Sequence, residues 1–171
     1  MVLQMIHKEI KERNLPVDIL VCSNTFESDD HLVVLKPACE IAMPHDFNGY
    51  LRIPDILELH NLFHEKEYDR IVCSTEGVMG LAALYLKHAY SVPAFFHVHA
   101  DWVMFCRKTL NFSKHNQNRV RRFLRTYYGA FDKVFTLNND RKKGFTEHGM
   151  DFDNTGLTMQ YIMETIGLNK P

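Results

Sequence analysis

The hydrophobic positions change period repeatedly along the chain. Leu3, Ile6 and Ile10 recur at helical spacing with Glu9, Lys11, Glu12 and Arg13 turned away, and "NLP" ends that helix before the apolar run "VDILVC". The stretch "SNTFESDDH" is polar and turn-like, "LVVL" reads as a short strand, and "KPACEIAMPHDFNGYLRIP" holds too many breakers for a long element. From Asp55 the pattern sharpens. Ile56, Leu59, Leu62 and Phe63 form a helical stripe that ends near "EKEYD", ahead of the apolar strand "RIVCS" and the helix "VMGLAALYLKHA". Pro93 opens the strand "AFFHVH", a loop and a helix follow, and "KVFTL" is a further strand before the helix "DRKKGFTEHG", which stops on glycine. The tail "DFDNTGLTMQYIMETIGLNKP" fits helix or strand equally. Short apolar strands separated by helices predict an α/β fold, an open Rossmann-like parallel sheet covered by helices on both faces.

Composition narrows the function classes. A chain of 171 residues suits one core, so a single domain over 1–171 is the expectation. Twenty basic and twenty-one acidic residues leave a net charge of -1, which gives the molecule as a whole no electrostatic reason to seek nucleic acid. No apolar run approaches the roughly 20 residues that span a bilayer, and the N-terminus carries charges too early for a signal peptide. A cytoplasmic protein is expected. Cys22, Cys39, Cys73 and Cys106 form no CxxC pair, which argues against a zinc ribbon or redox dithiol, and Cys22 and Cys73 sit in strand-like runs as small hydrophobes. The chain opens on a helix where a doubly wound sheet normally begins with a strand, so a fragment lacking its first strand is expected.

In open parallel sheets ligands bind beyond the carboxyl ends of the strands. Here those ends read "CSNTFES", "CSTEG", "HVHADW" and "LNND". Each offers polar side chains or exposed amides beside a helix start, where unpaired N–H groups favour anionic or hydroxyl-rich ligands. "FFHVHADW" holds the most chemistry. Alternation in a strand turns His97, His99 and Asp101 to one side, which is partial spacing for a metal site and hence for a metal-dependent hydrolase. Trp102 then stands where the longer HxHxDH pattern has its last histidine. A hydrogen-bonded histidine under a loop, and a histidine that meets substrate, are the other two readings.

The run "RIVCSTEGVMGLAALYLKHAYSVPAFFHVHADWVMFCRKTLNF", followed by "RRFLRTYYGAFDKVFTLNNDRKKGFTEHGM", resembles the N-terminal domain of family 4 (group 1) glycosyltransferases, which have the GT-B fold. The likeness runs from Ile53 to Met150 and rests on the order of a "DVVH" strand, a "GLAAL" helix, a "GVPVVYTYHTDF" strand end and an "ADRVLVLS" strand. It implies that His99 matches a cleft histidine near the transferred sugar and acceptor, with Asp101 its acidic neighbour. Ser74, Thr75 and Glu76 then fall on the acceptor-facing loop, and Asn138 on the head of the next helix. Hydroxyls, amides and a carboxylate suit sugar hydroxyls, and Trp102 offers an apolar face to a ring. Glu76 and Asp140 read equally as helix-start charges.

The family's glycine-rich first loop, its "PNGVD" stretch and its C-terminal domain with paired glutamates have no counterpart in this sequence. The resemblance therefore implies an acceptor-side domain of a retaining, metal-independent hexosyltransferase-like enzyme, inactive alone and needing no cofactor. Its partners would be a nucleotide-sugar donor, held mainly by the other domain, and a glycan or lipid-linked acceptor, as in polysaccharide biosynthesis. A non-catalytic sugar-binding module remains an alternative.

"KHNQNRVRRFLRTYYGAF" places Val120, Phe123, Leu124 and Tyr127 on one helical face and Arg121, Arg122 and Arg125 on the other. The arginines are either a solvated face or a peripheral contact with the inner face of a membrane, to which Lys133, Lys142 and Lys143 would add.

Overall fold

The computed structural model describes residues 2–43 and 49–136. In chain order the elements are α1 (Val2–Arg13), β1 (Ile19–Cys22), β2 (Leu32–Leu35), β3 (Pro37–Ala42), β4 (Tyr50–Pro54) and α2 (Ile56–Lys66), then β5 (Ile71–Cys73), α3 (Val78–Tyr90), β6 (Ala94–Val98), α4 (Trp102–Lys108), α5 (Lys114–Gly129) and β7 (Lys133–Thr136). They group into two compact units. Met1–Tyr68 with Glu76–Ala82 forms the first, and Asp69–Thr75 with Ala83–Pro171 the second. The helix expected after β7 and the 151–171 tail lie outside the described residues.

The second unit is built on a parallel sheet in the order β5-β6-β7, with Cys73 opposite Phe96 and Phe96 opposite Val134. Parallel neighbours need long crossovers. α3 supplies the first of these, and α4 with α5 the second. Every residue of β6 is buried, as expected for a central strand whose apolar run "AFFHV" does not alternate. Phe96, fully inaccessible, is ringed by Tyr127 at 5.6 Å, Tyr128 at 5.1 Å and Phe131 at 5.0 Å between ring centroids. Phe95, one residue back, stacks on Phe135 at 6.1 Å. Alternation along the strand places these two contacts on opposite faces of the sheet.

The amino edge of this sheet is locked by polar contacts. The Asp132 carboxylate accepts the Ala94 N–H at 2.7 Å and pairs with the Lys87 ammonium at 3.1 Å, while Lys87 also donates to the Ala130 carbonyl at 2.7 Å. Burial alone would raise the Asp132 pKa, but these bonds outweigh it and hold the carboxyl below its ordinary value.

In the first unit β1 and β2 pair in parallel, Ile19 opposite Leu32, and Ile10 of α1 is fully buried. Asp29 ties the connecting loop to α1. Its carboxylate accepts from Lys11 at 2.7 Å, from the backbone N–H of His31 at 3.0 Å and of Leu32 at 2.9 Å, and meets His7 at 3.0 Å. The Lys11 bond first, then those from His31 and His7, hold Asp29 well below the usual carboxylate range. α2 starts where Asp55 accepts the N–H groups of Leu57 and Glu58, a standard cap, and it buries Leu59 and Phe63.

The α/β class holds and most pairings are parallel. The stretch between β1 and β2 is the polar, turn-like connection that the sequence suggested, held by its own turns, in which Ser23 Oγ accepts the Thr25 N–H and Ser28 Oγ that of Val34. What differs from the sequence expectation is an antiparallel β3–β4 pair within the segment that looked too broken for a long element. Pro37 is tolerated because it is the first residue of its strand, and a bulge between Pro37 and Cys39 restores the register.

Two stability tests follow. Phe96→Ala should cost about 3–5 kcal/mol in urea unfolding, because its site is walled by rings that cannot all collapse inward. Asp132→Ala should lower the unfolding midpoint at neutral pH. A carboxylate with a depressed folded pKa contributes stability above its ordinary value of 3.8 and loses it as pH falls through the folded value. The gap between variant and wild type should therefore narrow below that pH.

Candidate functional site

Because β5, β6 and β7 are parallel neighbours in register, their carboxyl ends emerge along one edge. His97 is the fourth residue of β6, 8% exposed. The strand ends at Val98, so His99 lies just beyond it, half-buried. The two rings meet, His97 Nδ1 lying 3.2 Å from His99 Nε2 with ring centroids 4.4 Å apart. In a hydrogen bond between them one nitrogen donates and the other accepts, so the tautomers of the two rings are coupled.

Asp101 does not join them along an extended strand. It is the N-cap of α4, its Oδ1 accepting the Met104 N–H at 2.9 Å. This ends the alternation on which a three-ligand metal reading depends. Among the described residues no three His, Cys, Asp or Glu side chains group to hold a metal. Trp102 begins α4, half-buried, its ring edge-on to Phe105 at 5.4 Å and packed against the core. Its indole Nε1 is buried with no hydrogen-bond partner among the described residues, an unmet donor.

Ser74 and Thr75, both exposed, follow β5 on the same edge. The Tyr127 hydroxyl of α5 donates to the Thr75 carbonyl at 3.0 Å, and the Cys73 thiol to the same oxygen at 3.4 Å. The loop is thus braced from beneath. Glu76 is half-buried two residues before α3, in the stretch that groups with the first unit. Asn138 lies outside the described residues, as do Asp140, Lys142 and Lys143.

The sequence reading missed two supporting residues. Tyr127 looked like one more member of an apolar stripe, although a buried tyrosine hydroxyl needs an acceptor and that need was the available signal. His97 figured only as a metal ligand; its spacing of two from His99 was the clue to the contact. Thiol chemistry finds no support at Cys22 or Cys106. Burial pushes both thiols up, with Glu40 and Glu58 adding at Cys22 against the opposing Arg52.

A parallel α/β layer with crossover helices between its strands defines a domain of the Rossmann-like kind. The family model for Glycosyltransferase Family 4 matches residues 1–155, and the chain belongs to that family. The match reaches well before Ile53, where the motif likeness begins. It agrees with the mostly parallel α/β architecture of half a GT-B fold, and it makes the chain a transferase domain that works between a sugar donor and an acceptor. Neither the curated proteins nor the solved structures yielded a match.

Two substitutions check this architecture. Tyr127→Phe should leave the core intact and speed hydrogen exchange in the loop after β5, at a cost of about 0.5–1.5 kcal/mol for the lost bond. Asp101→Ala should cost about 1 kcal/mol in thermal or urea unfolding, whereas Asp101→Asn, also a good cap, should be nearly neutral.

Proposed function

We propose that this chain is the acceptor-side domain of an enzyme that moves a sugar from a nucleotide-sugar to a hydroxyl of a glycan or lipid-linked acceptor, with His99 as the residue that meets substrate. The observation that carries this reading is the His97–His99 contact at the carboxyl edge of the sheet. A buried imidazole, fixed on a central strand, hydrogen-bonds a half-buried one beyond the strand end. That arrangement orients His99 before substrate arrives, and pre-orientation is what a positioning mechanism requires.

In the transfer step the acceptor oxygen forms its bond to the anomeric carbon as the bond to the nucleotide diphosphate breaks, and the proton of the acceptor hydroxyl passes to the departing diphosphate oxygen. His99 places the sugar and acceptor hydroxyls by hydrogen bonding, and His97 is the positioning residue behind it. Ser74 and Thr75 lie on the same edge, both exposed residues with hydroxyl side chains, which suits polyol recognition. Asp101 holds α4 in place by its cap and keeps one carboxylate oxygen for a substrate hydroxyl. The grip on the nucleotide belongs in this reading to a second domain, as in a two-domain enzyme that closes around its donor.

The test is turnover of the full-length protein that carries this chain, followed as release of nucleoside diphosphate from nucleotide-sugars. His99→Ala should lower kcat by about 10²-fold or more with an unchanged circular dichroism spectrum. His97→Phe, which keeps a ring but removes the hydrogen bond, should lower kcat less. Asp101→Asn separates its two roles, since it preserves the cap and changes turnover only if the charge serves the reaction. Full activity in His99→Ala removes that residue from the mechanism. Sugar binding without any turnover in the wild type supports the non-catalytic module instead.

A further inference from the structure

A polar cleft lies at the opposite end of the β5-β6-β7 sheet from the histidine pair. It measures about 400 Å³ and is lined by Lys87, His88, Ser91, Val92, Pro93 and Asp132. Lys87 and His88 stand in the last turn of α3, Ser91 to Pro93 lead into β6, and Asp132 directly precedes β7. All six belong to the second unit. β6 and β7 run in parallel, so the cleft sits where these strands begin, whereas the histidines sit where β6 ends. At about 3.3 Å per residue, the run from Pro93 to His99 separates the two places by roughly 20 Å.

The charges of the cleft are already balanced. Lys87 pairs with Asp132 at 3.1 Å and donates to the Ala130 carbonyl at 2.7 Å, and the second Asp132 oxygen accepts the Ala94 N–H. These contacts fix both groups without using them up, because an ammonium has three N–H donors and each carboxylate oxygen two lone pairs, and the Asp132 side chain is 43% exposed. His88 and Ser91 are exposed beside them and add an imidazole and a hydroxyl. Ser91 is held at φ 53°, the left-handed conformation in which a helix commonly ends on glycine. Serine strains the backbone there, and what it adds over glycine is a hydroxyl at the rim of the cleft.

We propose that this cleft is a second carbohydrate subsite, which holds one neutral sugar unit of a glycan away from its reacting end. The chemistry selects the class. An anion meets the Asp132 carboxylate and the terminal carbonyls of α3, and a cation finds Asp132 already paired with Lys87. A metal ion lacks ligands, since no group of three forms among the described residues. A neutral polyol meets none of these obstacles. Its hydroxyls donate to Asp132, accept from Lys87 and bond to Ser91 and His88, with Val92 and Pro93 against its C–H face. The inference rests on the glycan form of the acceptor in the proposed transfer. A chain several units long, gripped here and at the strand tips, is held at two points, which raises its local concentration at His99.

The experiment is saturation-transfer NMR on the full-length protein that carries this chain, with the methyl glycosides of glucose, mannose and N-acetylglucosamine as probes. At least one should bind, should not be displaced by inorganic phosphate, and should still bind to His99→Ala. In the His99→Ala background, His88→Ala with Ser91→Gly should weaken that binding about ten-fold. Ser91→Gly alone relieves the backbone strain, so its thermal midpoint should rise while its glycoside affinity falls. With His99 intact, the double variant should keep the wild-type kcat for nucleoside diphosphate release and raise the KM for an oligosaccharide acceptor. Absence of binding by all three glycosides, displacement by phosphate, or wild-type affinity in the folded double variant overturns the proposal, as does binding that vanishes in His99→Ala. Binding that passes these tests in a protein without turnover supports the subsite and refutes the transfer reading.

Discussion

The second unit depends on one packing constraint: β6 has no solvent-facing side. With Phe96 closed in by Tyr127 and Tyr128 of α5 and by Phe131 just beyond it, and Phe95 stacked on Phe135 of the neighbouring strand, the sheet cannot slide by one residue without exchanging these faces. That fixed register determines where the strand ends, and therefore where His97 and His99 emerge. Moving the site by one residue would bury His99 or expose Phe96. Site and core are consequently set by the same alternation.

The way β6 stops matters as much as the way it packs. An extended continuation would have carried Asp101 alongside the histidines, but the Asp101 carboxylate finds the Met104 N–H and the chain turns into α4. Helix capping of about 1 kcal/mol is small against the total stability of a domain, yet it competes only with a few residues of unpaired strand. The local contest therefore goes to the helix, and the constellation left is a histidine pair beside a capping carboxylate.

How much of this could be read beforehand varies with the range of the interaction. α2, α3 and α5, and the strands β5 to β7, follow from the period of their apolar residues and from glycine and proline punctuation, signals contained within each segment. β3 and β4 do not, since they exist only because residues such as Ile41 and Leu51 pair between the two strands, and each alone is a broken, partly exposed run. Phe123 shows the limit of a stripe argument: it is apolar and on the right side of the wheel, but it sits at the edge of the buried arc. The residues with chemical character at the site were legible by type and position. Their partnerships were not, because a Tyr127 hydroxyl that meets a carbonyl 52 residues away leaves no local trace.

That long-range bond bears on how the α/β half can combine rigidity with recognition. The loop after β5 must expose Ser74 and Thr75, and exposed loops are ordinarily the least stable parts of a domain. Here the backbone of Thr75 is anchored to a helix that is itself packed on Phe96, so the side chains stay accessible while the main chain shares the stability of the core. The same helix turns its opposite face, rich in arginine, to solvent. α5 therefore couples three things mechanically: the burial of β6, the position of the hydroxyl-bearing loop, and the basic surface.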